Sequence, residues 1–272
     1  MHNRTGEEKI WTALLYGVSG LVLFFLMAPI LAIIPLSFNS STFLTYPLEG
    51  FSLRWYREFF ASDSWLRALK NSFIIGGASA VLATALGTLA SLGLARTNFP
   101  GKGLIMALVL SPIIVPLVIT GVGFYLFFAP MGLTATYPGL ILAHTALGAP
   151  FVVITVSATL QGFDLNLLRA AASLGAHPVT AFRRVTLPLI GPGVASGGLF
   201  AFATSFDEVV VVLLVAGPTQ RTLPREMFSG LRENISPTIT AVATIMILVS
   251  LALLATLELL RRRNERLRGA KH

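Results

Sequence analysis

The sequence predicts an all-α membrane protein with six transmembrane helices, and three observations carry that prediction. Hydrophobic residues fill 54% of the 272 positions and charged residues only 12%, with a mean hydropathy of +0.78, so lipid must solvate much of the surface. Six apolar segments, near 11–36, 68–95, 104–128, 138–161, 188–215 and 237–260, each reach the roughly 20 residues that a spanning helix needs. Lys and Arg are spread unevenly over the segments between them, as topology requires.

The first segment, Trp11 to Leu36, is far longer than the roughly 7 to 15 apolar residues of a cleavable signal, so it is expected to stay as an anchor. Outside it, Phe51-Ser52-Leu53-Arg54-Trp55-Tyr56-Arg57-Glu58-Phe59-Phe60 mixes aromatics with charges as an interfacial helix does; anchoring at headgroup level and a lid over the bundle are both open. The second span carries Ala83, Gly87 and Ser91 at spacing four, which suits close approach of another helix or simple filling of a bundle. Pro112 and Pro116 should bend the third span, because each removes a backbone donor. No linker or repeat interrupts the chain, which predicts a single transmembrane domain over 1–272.

With the N-terminus in the cytoplasm, the inner segments hold Arg4, Lys9, Arg96, Lys102, Arg169, Arg183, Arg184 and the basic tail from Arg261 to Lys271, thirteen of the 20 basic residues. Both termini and the 162–187 segment are therefore expected to face the cytoplasm. Topology also accounts for the net charge of +8 without a nucleic-acid partner. The Arg261-Arg262-Arg263 cluster suits anionic lipid headgroups, with Glu258 one turn before it as an ion-pair partner. Cysteine is absent, which excludes disulfides, thiol nucleophiles and thiolate metal sites, and no His pair at ligand spacing offers another metal site.

The segment 162–187 is a polar island between two apolar runs. Leu165 to Leu174 suits a short helix, Gly175 supplies a stop, and Pro178 starts a second short helix expected to end before Leu187-Pro188. The alanines 170 to 172 would let a partner approach the backbone, while Arg183 and Arg184 supply charge. Two readings follow: a plug gripped by a partner protein, or a loop lying on the membrane through its arginines.

At these residues a resemblance becomes specific. Ala170-Ala171, Gly175-Ala176 and Leu187-Pro188 stand at the spacing of the EAA loop of ABC importer permeases, and Phe51 to Tyr56, Ser205-Phe206-Asp207-Glu208-Val209-Val210-Val211, Gly217-Pro218, Leu223-Pro224 and Ile235-Ser236-Pro237 resemble the spermidine/putrescine-type branch, in particular its second permease subunit. The resemblance implies the six-span fold of a type I importer permease in a bacterial inner membrane, with a cytoplasmic coupling helix. It implies coupling to an ATPase through Arg169, Ala170, Ala171, Gly175, Ala176, Pro178, Arg183 and Arg184. The implied partners are a homologous second permease, two ATPase subunits and an external substrate-binding protein; ATP and Mg would sit on the ATPase, with no cofactor on this chain. Arg169 stands where the family has glutamate, which reverses a charge at the docking surface.

ATP cannot be handled by this chain alone, because Gly101-Lys102-Gly103 lacks the glycine spacing and the Ser/Thr of a phosphate-binding loop. Asp207 and Glu208 fall inside the fifth apolar run, where each would cost roughly 2.5 to 3.5 kcal/mol facing lipid. In a regular helix they point about 100 degrees apart. One of them is thus read toward a pathway for a cationic substrate and the other toward a neighbouring helix, with Asp207 taken for the pathway although the sequence leaves that choice open; a buried pair satisfied by Ser205, Thr204 or a partner subunit is the alternative. His144, Tyr125 and Phe124 are further pathway candidates, though residues of these types in a span more often serve packing. Another solute, such as an amino acid derivative or an iron complex, remains a rival cargo, since the EAA loop reports coupling and not cargo. A membrane-embedded enzyme using Asp207, Glu208 and His144, or a passive channel, is a more distant reading.

Overall fold

The computed structural model describes residues 6–96, 99–164, 166–233 and 236–269, which form helices and turns with one isolated β-bridge between Asn39 and Phe51. In order these are α1 (Gly6–Leu36), α2 (Arg54–Ala61), α3 (Asp63–Arg96), α4 (Lys102–Ile114), α5 (Leu117–Phe128), α6 (Tyr137–Gln161), α7 (Asn166–Ser173), α8 (Pro178–Ala181), a π segment (Phe182–Thr186), α9 (Leu187–Phe206), α10 (Val210–Val215), a 3-10 turn (Pro218–Gln220), α11 (Leu223–Glu233) and α12 (Thr238–Gly269). Five of the described helical stretches are long and apolar enough to cross a membrane, or six if the bent pair α4 and α5 counts as one crossing. The side chains of Arg261, Arg262 and Arg263 lie outside the described residues, and with them the ion pair expected of Glu258.

Two compact units divide the chain: residues 1–62 with 230–247, and 63–229 with 248–272. In the first, the loop after α1 is built on Asn39, whose Oδ1 accepts from the Ser41 and Glu49 amides at 3.3 and 3.2 Å. Trp55 donates through Nε1 to the Asn39 carbonyl at 2.7 Å, and Tyr56 shares a 2.8 Å hydroxyl contact with Ser37. Trp55 and Phe59 are therefore buried, which corrects the picture of α2 as a helix whose tryptophan sits among headgroups. The loop's own unpaired backbone carbonyl at Asn39 needed a donor, and the indole supplied it.

In the second unit α3, α6 and α9 pack on one another, and α6 is the most enclosed of the apolar helices. Small residues make the crossings possible. A side chain at Gly87 would meet Val152 Cβ at 2.7 Å, one at Gly148 would meet Ala201 Cβ at 2.9 Å, and one at Gly197 would meet Val152 Cα at 2.8 Å. Ser91 lies one turn beyond Gly87 and donates to the Val153 carbonyl of α6 at 3.3 Å, so the stripe Ala83, Gly87 and Ser91 is the face that α6 meets. Without a hydrophobic drive between helices in lipid, such close contact is what binds them.

Two spans depart from the expected layout. The 104–128 run is two helices bent by 110° at Val115 and Pro116. Pro112 cannot reach the Leu108 carbonyl, and the Ser111 hydroxyl takes that acceptor at 2.8 Å; Val115, preceding Pro116, is extended with ψ 132. The 188–215 run begins earlier and stops sooner. Pro178 to Phe206 is one continuous helical stretch, so no second short helix ends before Leu187-Pro188. The π segment explains it: the Leu187 amide reaches back to Phe182, and the widened turn accommodates Pro188, whose ring would crowd an α-helical carbonyl four residues earlier. At the far end, Asp207 to Val209 break the helix before α10.

Candidate functional site

The coupling segment is built from local hydrogen bonds. Asp164 Oδ1 accepts from the Asn166 amide at 2.9 Å and starts α7; Arg169 Nη1 donates to Asn166 Oδ1 at 3.1 Å, one turn away. Gly175, at φ 77°, ends the helix in a Schellman turn in which the Ala176 amide reaches Ala171 at 3.0 Å and the Gly175 amide reaches Ala172 at 2.9 Å. Only a residue without a Cβ adopts that left-handed conformation freely. Pro178 opens α8 at its first position, as its fixed φ favours. No residue of α7 is buried, Leu174 is 87% exposed, and Leu167 and Val179 are also exposed beside Arg169, Arg183 and Arg184. Exposed apolar and basic side chains therefore share this short segment.

The carboxylates separate by a route the regular-helix argument missed. Asp207 caps the C-terminus of α9 and is exposed; Glu208 is buried, and its Oε1 accepts from the Val211 amide at 2.8 Å. Glu208 therefore satisfies the first turn of the next helix, α10, where the helix dipole also favours a negative charge. Ser205 serves neither carboxylate. Its hydroxyl lies 2.6 Å from His144 Nδ1, both residues are buried, and His144 Nε2 has no partner among the described residues.

Asp207 opens onto a cavity of about 250 Å³ between α9 and α12, lined by Leu199, Phe200, Ala203, Phe206, Ser250, Leu253 and Leu254. Among the described residues Asp207 is the one charged group of this lining, which is apolar apart from Ser250. His144, Ser205, Glu208 and Tyr125 are not part of this lining, and Tyr125 is 46% exposed on α5. Ser250, Leu253 and Leu254 were not singled out by sequence. Their only signal was a serine inside an apolar run, which any bundle contains.

A rigid loop closes the opposite end of the unit. Asn71 Nδ2 donates to the Thr219 and Arg221 carbonyls at 2.9 and 2.8 Å, Tyr137 donates to Asn71 Oδ1 at 2.8 Å, and the Ser72 hydroxyl accepts from the Leu223 amide at 2.8 Å. Arg225 ties the same loop by donating to the Ala216 and Gly217 carbonyls. Burial, then the neighbouring Arg221, push the Arg225 guanidinium below its ordinary pKa, while Glu226 opposes the shift.

Comparison with known proteins gives these features a family. The spermidine/putrescine transport system permease protein PotC of Haemophilus influenzae is 36% identical over 241 residues, 88% of this chain and 93% of its own length. The putrescine transport system permease protein PotI of Escherichia coli is 36% identical over 230 residues, 82% of each chain. A probable molybdenum ABC transporter permease of Haloferax volcanii is 35% identical over 171 residues, 60% of this chain and 63% of its own. Among solved structures, a bacterial ABC transporter that imports the acidic polysaccharide alginate superposes with a TM-score of 0.75 at 12% identity, covering 95% of this chain and 99% of that one, which shows the shared fold. Residues 83–266 match the family described as binding-protein-dependent transport system inner membrane component. The chain belongs to that family: it is a multi-pass inner-membrane permease subunit of an ABC importer, a transport protein and not an enzyme, that works with an ATPase and a substrate-binding protein.

Proposed function

We propose that this permease carries polyamines or a related organic cation, and that Asp207 meets the substrate's ammonium group in the α9–α12 cavity. The observation that carries the reading is the single exposed carboxylate in an apolar hollow, read beside the polyamine permeases that the chain resembles. At about 4 Å and an effective dielectric of 20, an ammonium–carboxylate pair gains about 4 kcal/mol, which offsets part of the hydration a cation loses. An anionic solute would be repelled at the same position.

The whole chain acts as one permease domain, paired with a homologous permease and two ATPase copies, with both termini in the cytoplasm. The thirteen basic residues on the inner segments support that orientation. With ATP and Mg bound, closure of the ATPase dimer pulls on α7 through its exposed alanines, Leu174 and the arginines. The continuous stretch from Pro178 to Phe206 carries the motion to the Asp207 cavity without a hinge between them.

Asp207→Asn nearly preserves shape and removes the charge. Labelled putrescine and spermidine uptake by the assembled complex should fall by roughly tenfold, equivalent to ~1.4 kcal/mol of lost stabilisation. Unchanged uptake by an intact complex removes Asp207 from the pathway, and failure of unlabelled polyamines to compete removes the cargo.

A further inference from the structure

We infer that a cavity where α3 and α6 end and α4 begins binds a phosphate-bearing anionic amphiphile, a phospholipid of the surrounding membrane. The cavity encloses about 320 Å³, and its lining includes Leu94, Lys102, Met106, Ser157, Leu160 and Gln161. Helix α3 ends at Arg96, α4 begins at Lys102 and α6 ends at Gln161, so three membrane helices reach the bilayer boundary around one hollow.

The lining is graded as a lipid is. Lys102 and Gln161 stand at the helix ends, and Ser157 lies one turn inside Gln161. Met106 lies about 6 Å along α4 from Lys102, and Leu94 and Leu160 complete an apolar wall. An ammonium group matches a phosphate as a point charge, and its three donors let it serve the chain and a ligand together. A free phosphate would use only the polar rim and leave Leu94, Met106 and Leu160 facing a void, which forfeits their contacts; an acyl chain fills it. Neither the coupling segment nor the Asp207 cavity shares a residue with this site.

The test uses the intact importer in mild detergent, with native mass spectrometry after incubation with phosphatidylglycerol or phosphatidylcholine of matched chains. The native protein should retain phosphatidylglycerol with roughly fivefold preference, the effect of one basic residue on an anionic headgroup. Lys102→Gln should abolish the preference, Lys102→Arg should keep it, and Met106→Trp should reduce retention of both lipids by filling the wall. Lys70→Gln, at the other end of α3, should change nothing. Full preference in Lys102→Gln overturns the proposal. Displacement of the lipid by inorganic phosphate overturns it too, since the ligand is then a free anion. So does loss of the ATPase subunit from Lys102→Gln with lipid retention unchanged, which would give the surface to a protein partner.

Discussion

Two proline-interrupted stretches of this chain end differently. At Pro116 the helix is broken and the chain turns by 110°, whereas at Pro188 the helical stretch from Pro178 to Phe206 continues unbroken. Both prolines lack the same amide, so the residue alone does not decide. What differs is the turn before it. Before Pro188 the backbone widens into a π segment, with the Leu187 amide on Phe182, so that no carbonyl sits where the ring would strike. Before Pro116, Val115 goes extended, and α5 leaves to pack against α10, with Gly121 close to Leu214 and Val211. Of these two prolines, Pro116 thus marks a joint and Pro188 lies in a continuous rod, where one extra residue absorbs the ring.

The contrast can be broken most severely at the rod. Deleting Val185 while keeping Pro188 removes the extra residue, and the ring should then cost the helix about 3 kcal/mol, lowering the thermal midpoint of the purified complex and abolishing uptake. Adding Pro188→Ala to the same deletion should restore both; a deletion that is silent by itself would show that Pro188 does not need the π segment. At the joint a smaller effect is expected. Pro116→Ala should lower stability by about 1 kcal/mol through the unfolded chain, with the bend kept by the packing of α5 on α10. Because the chain has no cysteine, spin labels on cysteines introduced at Ile105 and Leu126 report the bend cleanly, and a lengthened distance would assign it to the proline alone. Least of all, Ser111→Ala should cost about 0.6 kcal/mol, since the Leu108 carbonyl loses its hydroxyl donor in a medium that offers few others.

Much of this architecture was legible in the residues. Hydropathy located each apolar run, the Ala83, Gly87 and Ser91 spacing found the face that α6 meets, and Gly175 marked its turn, because these signals are local or periodic. The failures share one cause. Whether Pro116 breaks a helix and Pro188 does not depends on backbone hydrogen bonds made elsewhere, which composition cannot report. Asp207 and Glu208 read as parts of a regular helix, but α9 ends before them at Phe206 and Glu208 accepts the Val211 amide of the next helix. Likewise nothing near Ser205 in sequence announced His144, 61 residues earlier. Trp55 reads as an interfacial aromatic until the Asn39 carbonyl is seen to need it.

Helix α6 has a consequence for how the protein is made. It lies between α3 and α9 along the chain and packs against both, and its glycine-lined contacts close on each. During synthesis α3 is already in the bilayer when α6 emerges, and α9 follows, so each new helix of this core finds a partner already inserted. This three-helix core can therefore form in the order of translation, whereas α5 is made well before α10, the helix it packs on.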